Sequence, residues 1–279
     1  MLGPLRIGRN GATVVLPASR KVRALFAYLA LAPQAVPRER LCELFWDVPN
    51  DPRGELRWCL SKLRAALDEP AVRRIDAHGD AVRLDLTDCA FDARDVVLAT
   101  PSAERLERAE LQRLVDRFDG DFLEGLALDN SPAFTAWLTA QRRRFRGYHV
   151  ALLERLVERA APEDVLSTLE RWAQLAPFDQ RVHELLLAEL ARCNRLREAE
   201  EHLSATVRLL EVEGLDGAHL RDAWRSARGK LQPIATDADA PSSGLTRRAS
   251  VVVMPFVDAS AVIAARATPL RAAQRARIG

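Results

Sequence analysis

The chain has 279 residues, with 41 Lys and Arg against 39 Asp and Glu, a formal net charge of +2. That length accommodates about two domains with separate cores, and the near balance of charge means that any basic surface must be local. Abundant Leu and Ala with two Tyr point to helices rather than sheets. The four cysteines, Cys42, Cys59, Cys89 and Cys193, lack C-x-x-C spacing. Reduced thiols in a cytoplasmic protein fit them better than a disulfide frame or a zinc site. No apolar run behind a basic start marks a signal peptide. The most apolar segments, residues 24–32 and 250–265, are too short or too interrupted to span a bilayer, so no membrane partner is expected.

Leu5, Ile7, Val14 and Leu16 flank Asn10-Gly11, a strong hairpin-turn pair, so short strands open the chain. Ser19 can cap a first helix whose buried stripe is Val22, Leu25, Phe26 and Leu29, with Pro33 near its end. Pro37 starts a second, shorter helix with Leu41, Leu44 and Phe45 inward and Trp46 at its end. A turn through Val48-Pro49-Asn50 leads into a third helix, with Asp51 at the cap and Pro52 at the first position.

In that third helix Leu56, Leu60, Leu63 and Leu67 mark one face, with Cys59 beside them. Arg53, Arg57, Ser61 and Arg64 fall on a narrow arc next to this stripe, while Lys62 lies elsewhere on the surface. A helix laid in a DNA major groove needs such an arc. Arginine pairs bidentately with a guanine edge or with phosphate, and a serine hydroxyl bonds to either. An ordinary solvated helix face has the same pattern, so the neighbouring elements decide. Arg73-Arg74-Ile75 and the alternating Val82, Leu84 and Leu86 flank His78-Gly79-Asp80, a second hairpin. Three helices and a hairpin predict a winged helix-turn-helix over residues 1–95, with the third helix in the recognition place. Lys62, Arg73, Arg74 and Arg83 would then hold phosphates from the helix flank and the wing.

Leu2-Gly-Pro-Leu-Arg-Ile, Lys21-Val-Arg-Ala-Leu-Phe-Ala-Tyr-Leu-Ala-Leu-Ala, Pro37-Arg-Glu-Arg-Leu and Leu60-Ser-Lys-Leu-Arg-Ala-Ala-Leu resemble the N-terminal part of SARP-type bacterial transcriptional activators. Members carry an OmpR-type winged helix followed by a helical bacterial transcriptional activation domain. They usually have a few residues before this Leu-Gly, so the resemblance implies a clipped first strand here. It also implies binding to double-stranded DNA at direct repeats near a promoter and contact with RNA polymerase. A homodimer on DNA is one arrangement that adjacent half-sites would allow, and the sequence does not give the oligomeric state.

Residues 87 to about 102 read as a polar connector, and Ser102 as the cap of a helix running through Leu106, Leu111, Leu114 and Val115. Phe118-Asp-Gly-Asp-Phe-Leu-Glu-Gly-Leu126 is similar to the signature opening the family's second domain. It has too few alternating oxygens for a calcium loop, so a structural turn is expected. Phe134, Trp137 and Leu138 begin a long helix through Gln141-Arg-Arg-Arg-Phe-Arg146, a basic cluster read as a charged helix face.

Further on, Leu169 and Leu175 recur 34 residues later as Leu203 and Leu209, and Ala173 matches Val207. Val182, Leu185, Leu186 and Leu190 mark the helix between, with Asn194 at its C-terminal cap. This is the tetratricopeptide period, and such repeats stack into surfaces for protein partners. Arg195-Leu-Arg-Glu-Ala-Glu-Glu resembles the turn of those repeats, with Ser204 and Ala205 where an aromatic is usual. A TPR-like domain is therefore expected over residues 103–231. Residues 232–244 read as a linker. Ser250-Val-Val-Val-Met-Pro-Phe256 resembles the first strand of a TolB-like domain that then breaks off, so residues 232–279 are expected to be a disordered or truncated tail.

His78, His149, His183, His202 and His219 show no ligand spacing, and no G-x-S-x-G elbow or phosphate-cradling glycine loop is present. His183-Glu184 reads as a helix surface pair. No catalytic residue, cofactor or metal is expected. The reading is a mainly α protein, a winged helix-turn-helix domain followed by a TPR-like domain, that regulates transcription. A helical interaction scaffold or sensor without specific DNA binding is the alternative, and an enzyme with an unrecognised site ranks below it.

Overall fold

The computed structural model describes residues 1–47, 51–70 and 72–231. The expected turn at 48–50 and the expected tail at 232–279, with its Ser250–Phe256 strand, lie outside the described residues. The protein is mainly helical, and residues 1–233 form one compact unit.

β1 (Gly3–Pro4) is followed by an antiparallel hairpin of β2 (Gly8–Arg9) and β3 (Ala12–Thr13). Asn10 and Gly11 turn it with φ of 51° and 79°, the left-handed pair that a tight two-residue turn requires. α1 (Arg20–Leu31) is capped by Ser19, whose hydroxyl accepts from the Val22 amide at 3.5 Å. β4 (Val36–Pro37) runs into α2 (Arg38–Phe45) and α3 (Pro52–Leu67) follows. β5 (Ile75–Asp76) and β6 (Ala81–Leu84) make the second expected hairpin. β6 pairs antiparallel with both β4 and β5, giving a three-stranded sheet in the order β4-β6-β5.

The connector expectation fails. Residues 92–99 form α4 (Asp92–Ala99), because Phe91, Ala93 and Val96 are buried and Asp92 and Asp95 favour the first turn of a helix. The expected boundary at residue 95 thus falls inside a helix. A 3-10 turn (Thr100–Arg105) holds Ser102, which caps nothing. The next helix, α5 (Arg108–Val115), is capped by Glu107, with Glu110 three residues on reaching back to the Glu107 amide at 3.2 Å. This reciprocal pair is a capping box built on glutamate.

β7 (Phe122–Glu124) pairs in parallel with β1, far away in sequence. The loop around it is held by Arg142, which donates to the carbonyls of Phe122, Leu123 and Leu126 at 3.1, 2.9 and 3.1 Å. Arg142 therefore leaves the charged face expected for 141–146 and serves as an internal clamp, satisfying carbonyls that the tight backbone cannot. α6 (Pro132–Arg159) is 28 residues long. Its first turns meet α1 and α2 through aromatic rings: Phe45–Phe134 at 5.2 Å and Tyr28–Trp137 at 5.1 Å between centroids. The Ser131 hydroxyl donates to the Phe45 carbonyl at 3.0 Å, satisfying a buried carbonyl at the C-terminal end of α2.

α7 (Pro162–Leu175), α8 (Gln180–Arg192), α9 (Leu196–Val212) and α10 (Ala218–Leu231) complete the helical part. Asn194 sits at φ 57° after α8, and the Arg195 amide reaches back to the Leu190 carbonyl at 2.8 Å. One position of the 34-residue pattern and one of the helix between shift. Leu185 and Leu209 are exposed, whereas their neighbours Leu187 and Leu210 are buried. His183 is not a surface residue either. It is buried, with Nε2 at 2.9 Å from the Pro177 carbonyl and Nδ1 at 3.0 Å from His202 Nε2.

Another buried imidazole gives the fold a pH dependence. His149 stacks on Phe118 at 4.0 Å, and its Nε2 has no partner among the described residues. Burial, followed by the nearby Arg171 charge, pushes its pKa down from 6.5 to about 4. Above pH 6.5 this residue is neutral in both folded and unfolded chains. As pH falls from 6.5 toward 4, the unfolded chain binds a proton that the folded one refuses, so stability drops by about 3 kcal/mol at most. Urea unfolding of the full chain at pH 7.5 and pH 4.5 should show this loss, and His149→Phe should reduce it.

Candidate nucleic-acid interface

α3 is fixed at both ends by side chains close in sequence or space. Asp51 Oδ1 accepts from the Gly54 amide at 2.7 Å. At the far end the Arg9 guanidinium donates to the Leu67 carbonyl at 2.6 Å and pairs with Glu69 at 2.9 Å. Leu56, Cys59, Leu60, Leu63 and Leu67 are buried, and Arg53, Arg57, Ser61 and Arg64 are exposed. Burial raises the Cys59 thiol to about 11, and the buried Cys42 thiol also lies above its usual value, so neither offers a reactive thiolate.

The β5–β6 hairpin is anchored to this helix. Asp68, just beyond α3, accepts the Arg74 amide at 2.8 Å, which sets where the hairpin departs. Gly79 turns it at φ 61°. Arg38, at the start of α2, binds the turn from the other side. Its backbone amide donates to the Asp80 carbonyl at 2.8 Å, and its guanidinium to the carbonyls of Ala77 and Gly79 at 3.1 and 3.2 Å. Sequence reasoning missed this residue. Nothing in helix periodicity marks it, because the contact joins residues about 40 apart.

Between helix and hairpin lies a groove of about 450 Å³. Arg53, Arg57 and Arg64 form one wall with Leu56 and Leu60, while Ala77, Gly79 and Asp80 form the other and Arg38 closes it. Arg57 stands 3.7 Å from the Asp51 carboxylate, a long, exposed pair that holds it loosely. Guanidinium groups carry donors and no acceptors, so this groove suits an anion or an acceptor-rich edge. Ser61 is exposed on α3 outside the groove wall. Lys62 Nζ lies 5.5 Å from the Trp58 ring centroid, away from the arginines.

The hairpin residues divide. Arg73 and Arg83 are exposed. Arg74 is mostly covered, at 15% side-chain exposure, and forms a two-pronged pair with Asp88. That pairing holds the Asp88 carboxyl down at about 2. Arg74 is thus spent on fastening the root of the hairpin, and Arg73, Arg74 and Arg83 all lie outside the groove lining. Among the described residues no group of three or more metal-ligating side chains converges, and no helix is long and apolar enough to cross a membrane.

Residues 84–223 match the model of the bacterial transcriptional activator domain. The chain belongs to that family. Its members are transcriptional regulators rather than enzymes. The chain is 29% identical over 231 residues to regulatory protein AfsR of Streptomyces coelicolor, and 29% over 230 residues to AfsR of Streptomyces griseus. These alignments cover 77% of the chain but 22% and 23% of the relatives, so the chain spans less than a quarter of their length. The fold is similar to that of Mycobacterium tuberculosis EmbR, solved in complex with a low affinity phosphopeptide. The TM-score is 0.63 at 19% identity, over 82% of this chain and 67% of that one. The family match and the two AfsR relatives support a SARP-type transcriptional regulator.

Arg38→Ala should remove the two guanidinium bonds to the hairpin turn and leave the residue-38 amide bonded to the Asp80 carbonyl. Hydrogen bonds from a charged donor contribute about 1.5–3 kcal/mol each, less when exposed. Amide exchange at residues 77–81 should therefore rise about tenfold or more, with little change in α7–α10. Unchanged exchange there would show that the hairpin stands without this clamp.

Proposed function

We propose that the chain is a sequence-specific regulator of transcription that binds double-stranded DNA, and an activator in mode. In this reading the part of the chain that precedes α4 is a winged helix-turn-helix, with α3 as the recognition helix and the β5–β6 hairpin as the wing. Arg53, Arg57, Ser61 and Arg64 read base edges, while Lys62, Arg73 and Arg83 hold phosphates. Arg74 supports the wing through Asp88. α7–α10 act as TPR-like repeats that present a surface to RNA polymerase. Two copies on adjacent direct repeats strengthen binding through effective concentration.

The observation that carries this reading is the groove in which three α3 arginines face the hairpin turn. The spacing of the guanidiniums alone fits a solvated face as well, and the clamped loop beside them is what favours the DNA reading. Selection of bound sequences from a random duplex pool should enrich a repeated motif. On that motif Arg57→Ala and Arg64→Ala should each cost about 1–3 kcal/mol, and most at one or two base pairs. Lys62→Ala should weaken all sequences alike and reduce the salt slope by about one. An unenriched pool, with helix content intact, would leave the scaffold reading instead.

A further inference from the structure

Trp58 is the large side chain on the outermost ridge of α3. Taking the buried stripe of Leu56, Cys59, Leu60, Leu63 and Leu67 as the inner side, the wheel places Gly54, Trp58, Ser61 and Ala65 directly opposite. Three of these are small, so the backbone of this ridge can approach a flat surface closely. Trp58 is 48% exposed, whereas Trp46, Trp172 and Trp224 are 7%, 1% and 5% exposed. A half-exposed indole, apolar in body with one polar N–H, is suited to a contact that is partly dry and partly hydrogen-bonded. Lys62, one turn on, lies over the ring at 5.5 Å. That cation–π contact holds the indole along the helix and adds a positive charge beside it.

We infer that Trp58 is a base-reading residue selective for thymine. The inference rests on the DNA-binding reading of α3 and adds a second flank to the arginine arc. In the major groove guanine presents two acceptors, cytosine a donor, and adenine one of each. Thymine alone presents an apolar group, its C5-methyl, next to the O4 acceptor. An indole offers an apolar face and one N–H donor, and Trp58 is half exposed to solvent. The ring matches the methyl and the N–H matches O4. Because Arg57 and Trp58 are adjacent, the thymine should lie within about two base pairs of a guanine read by Arg57.

The test uses the full chain and the duplex enriched from the random pool. Each thymine is replaced in turn by deoxyuridine, which removes the C5-methyl and leaves O4 and the pairing unchanged. Loss of one buried methyl corresponds to about a threefold to tenfold loss of affinity. Wild-type protein should show that loss at one or two positions. Trp58→Ala should bind the thymine duplex correspondingly less well and be indifferent to deoxyuridine at those positions, while Trp58→Phe should keep part of the sensitivity. Circular dichroism should show unchanged helix content in both variants. Two results overturn the inference while leaving the DNA reading intact: no wild-type response to deoxyuridine, or the same response in Trp58→Ala. Trp58→Ala that binds DNA normally but fails to activate also overturns it and assigns the indole to a protein partner. A pool with no enriched sequence removes the DNA reading itself.

Discussion

The Phe45 ring is where the two halves of the described chain meet. It lies 6.0 Å from Tyr28, 5.9 Å from Trp46 and 5.2 Å from Phe134, so α1, α2 and α6 share one aromatic cluster. Phe122 extends the cluster to Phe145 at 4.6 Å and to Trp137 at 6.3 Å. Each buried aromatic removes a large apolar area from water, and removing Phe45 would leave a cavity worth about 3–5 kcal/mol. Polar bonds fix the register of this packing. Ser131 ends α2 from the other half, β1 pairs with β7, and Arg142 braces the β7 loop. Helix–sheet–helix contacts here are those of one core and not of two beads on a string.

That constraint shapes the proposed function. A DNA-reading helix tethered by a flexible linker would leave its partner domain free to reach in any direction. Here the helix carrying Arg53, Arg57 and Arg64 packs on α1 and α2, and these pack on α6. The orientation of α6 relative to bound DNA is then set by the fold, and α7 to α10 follow from it by successive packing. In the proposed activator the direction offered to the polymerase is a property of the shared core. Clamps of the same kind recur at a smaller scale. Arg38 fixes the hairpin turn and Arg74 its root, so the groove wall opposite the arginines is held at both ends.

Local physics was legible in the sequence where it acts over a few residues. Asp51 capping α3, Ser19 capping α1, Asn10-Gly11 turning a hairpin and Asn194 ending α8 are interactions within three or four positions, and each is present. The leucine stripe of α3 also told which side is buried. What escaped depends on distant partners. Periodicity says that Phe45 and Phe134 are inward but not that they touch. Ser102 was a plausible cap until Pro101 and the burial of Ala103 placed it in a 3-10 turn, leaving Glu107 to begin α5. A histidine beside a glutamate resembled a surface pair, yet a second histidine nineteen positions on gave His183 a buried partner. Arg142 and Arg38 look like any surface arginine, because the carbonyls they serve belong to turns elsewhere in the chain. In the candidate site the arginine arc was readable from spacing alone, whereas the groove that gathers it required the hairpin's position.

Hydrogen exchange under rising denaturant most directly tests the claim that one core joins the arginine-bearing helix to α6 and the helices that follow it. If the aromatic cluster unites them, the slowest amides of α1, α2 and the first half of α6 open with one free energy and one denaturant dependence. They should also shift together in Phe45→Ala. Opening of α1–α3 at low denaturant while α6 stays protected would contradict the account and restore two independent domains.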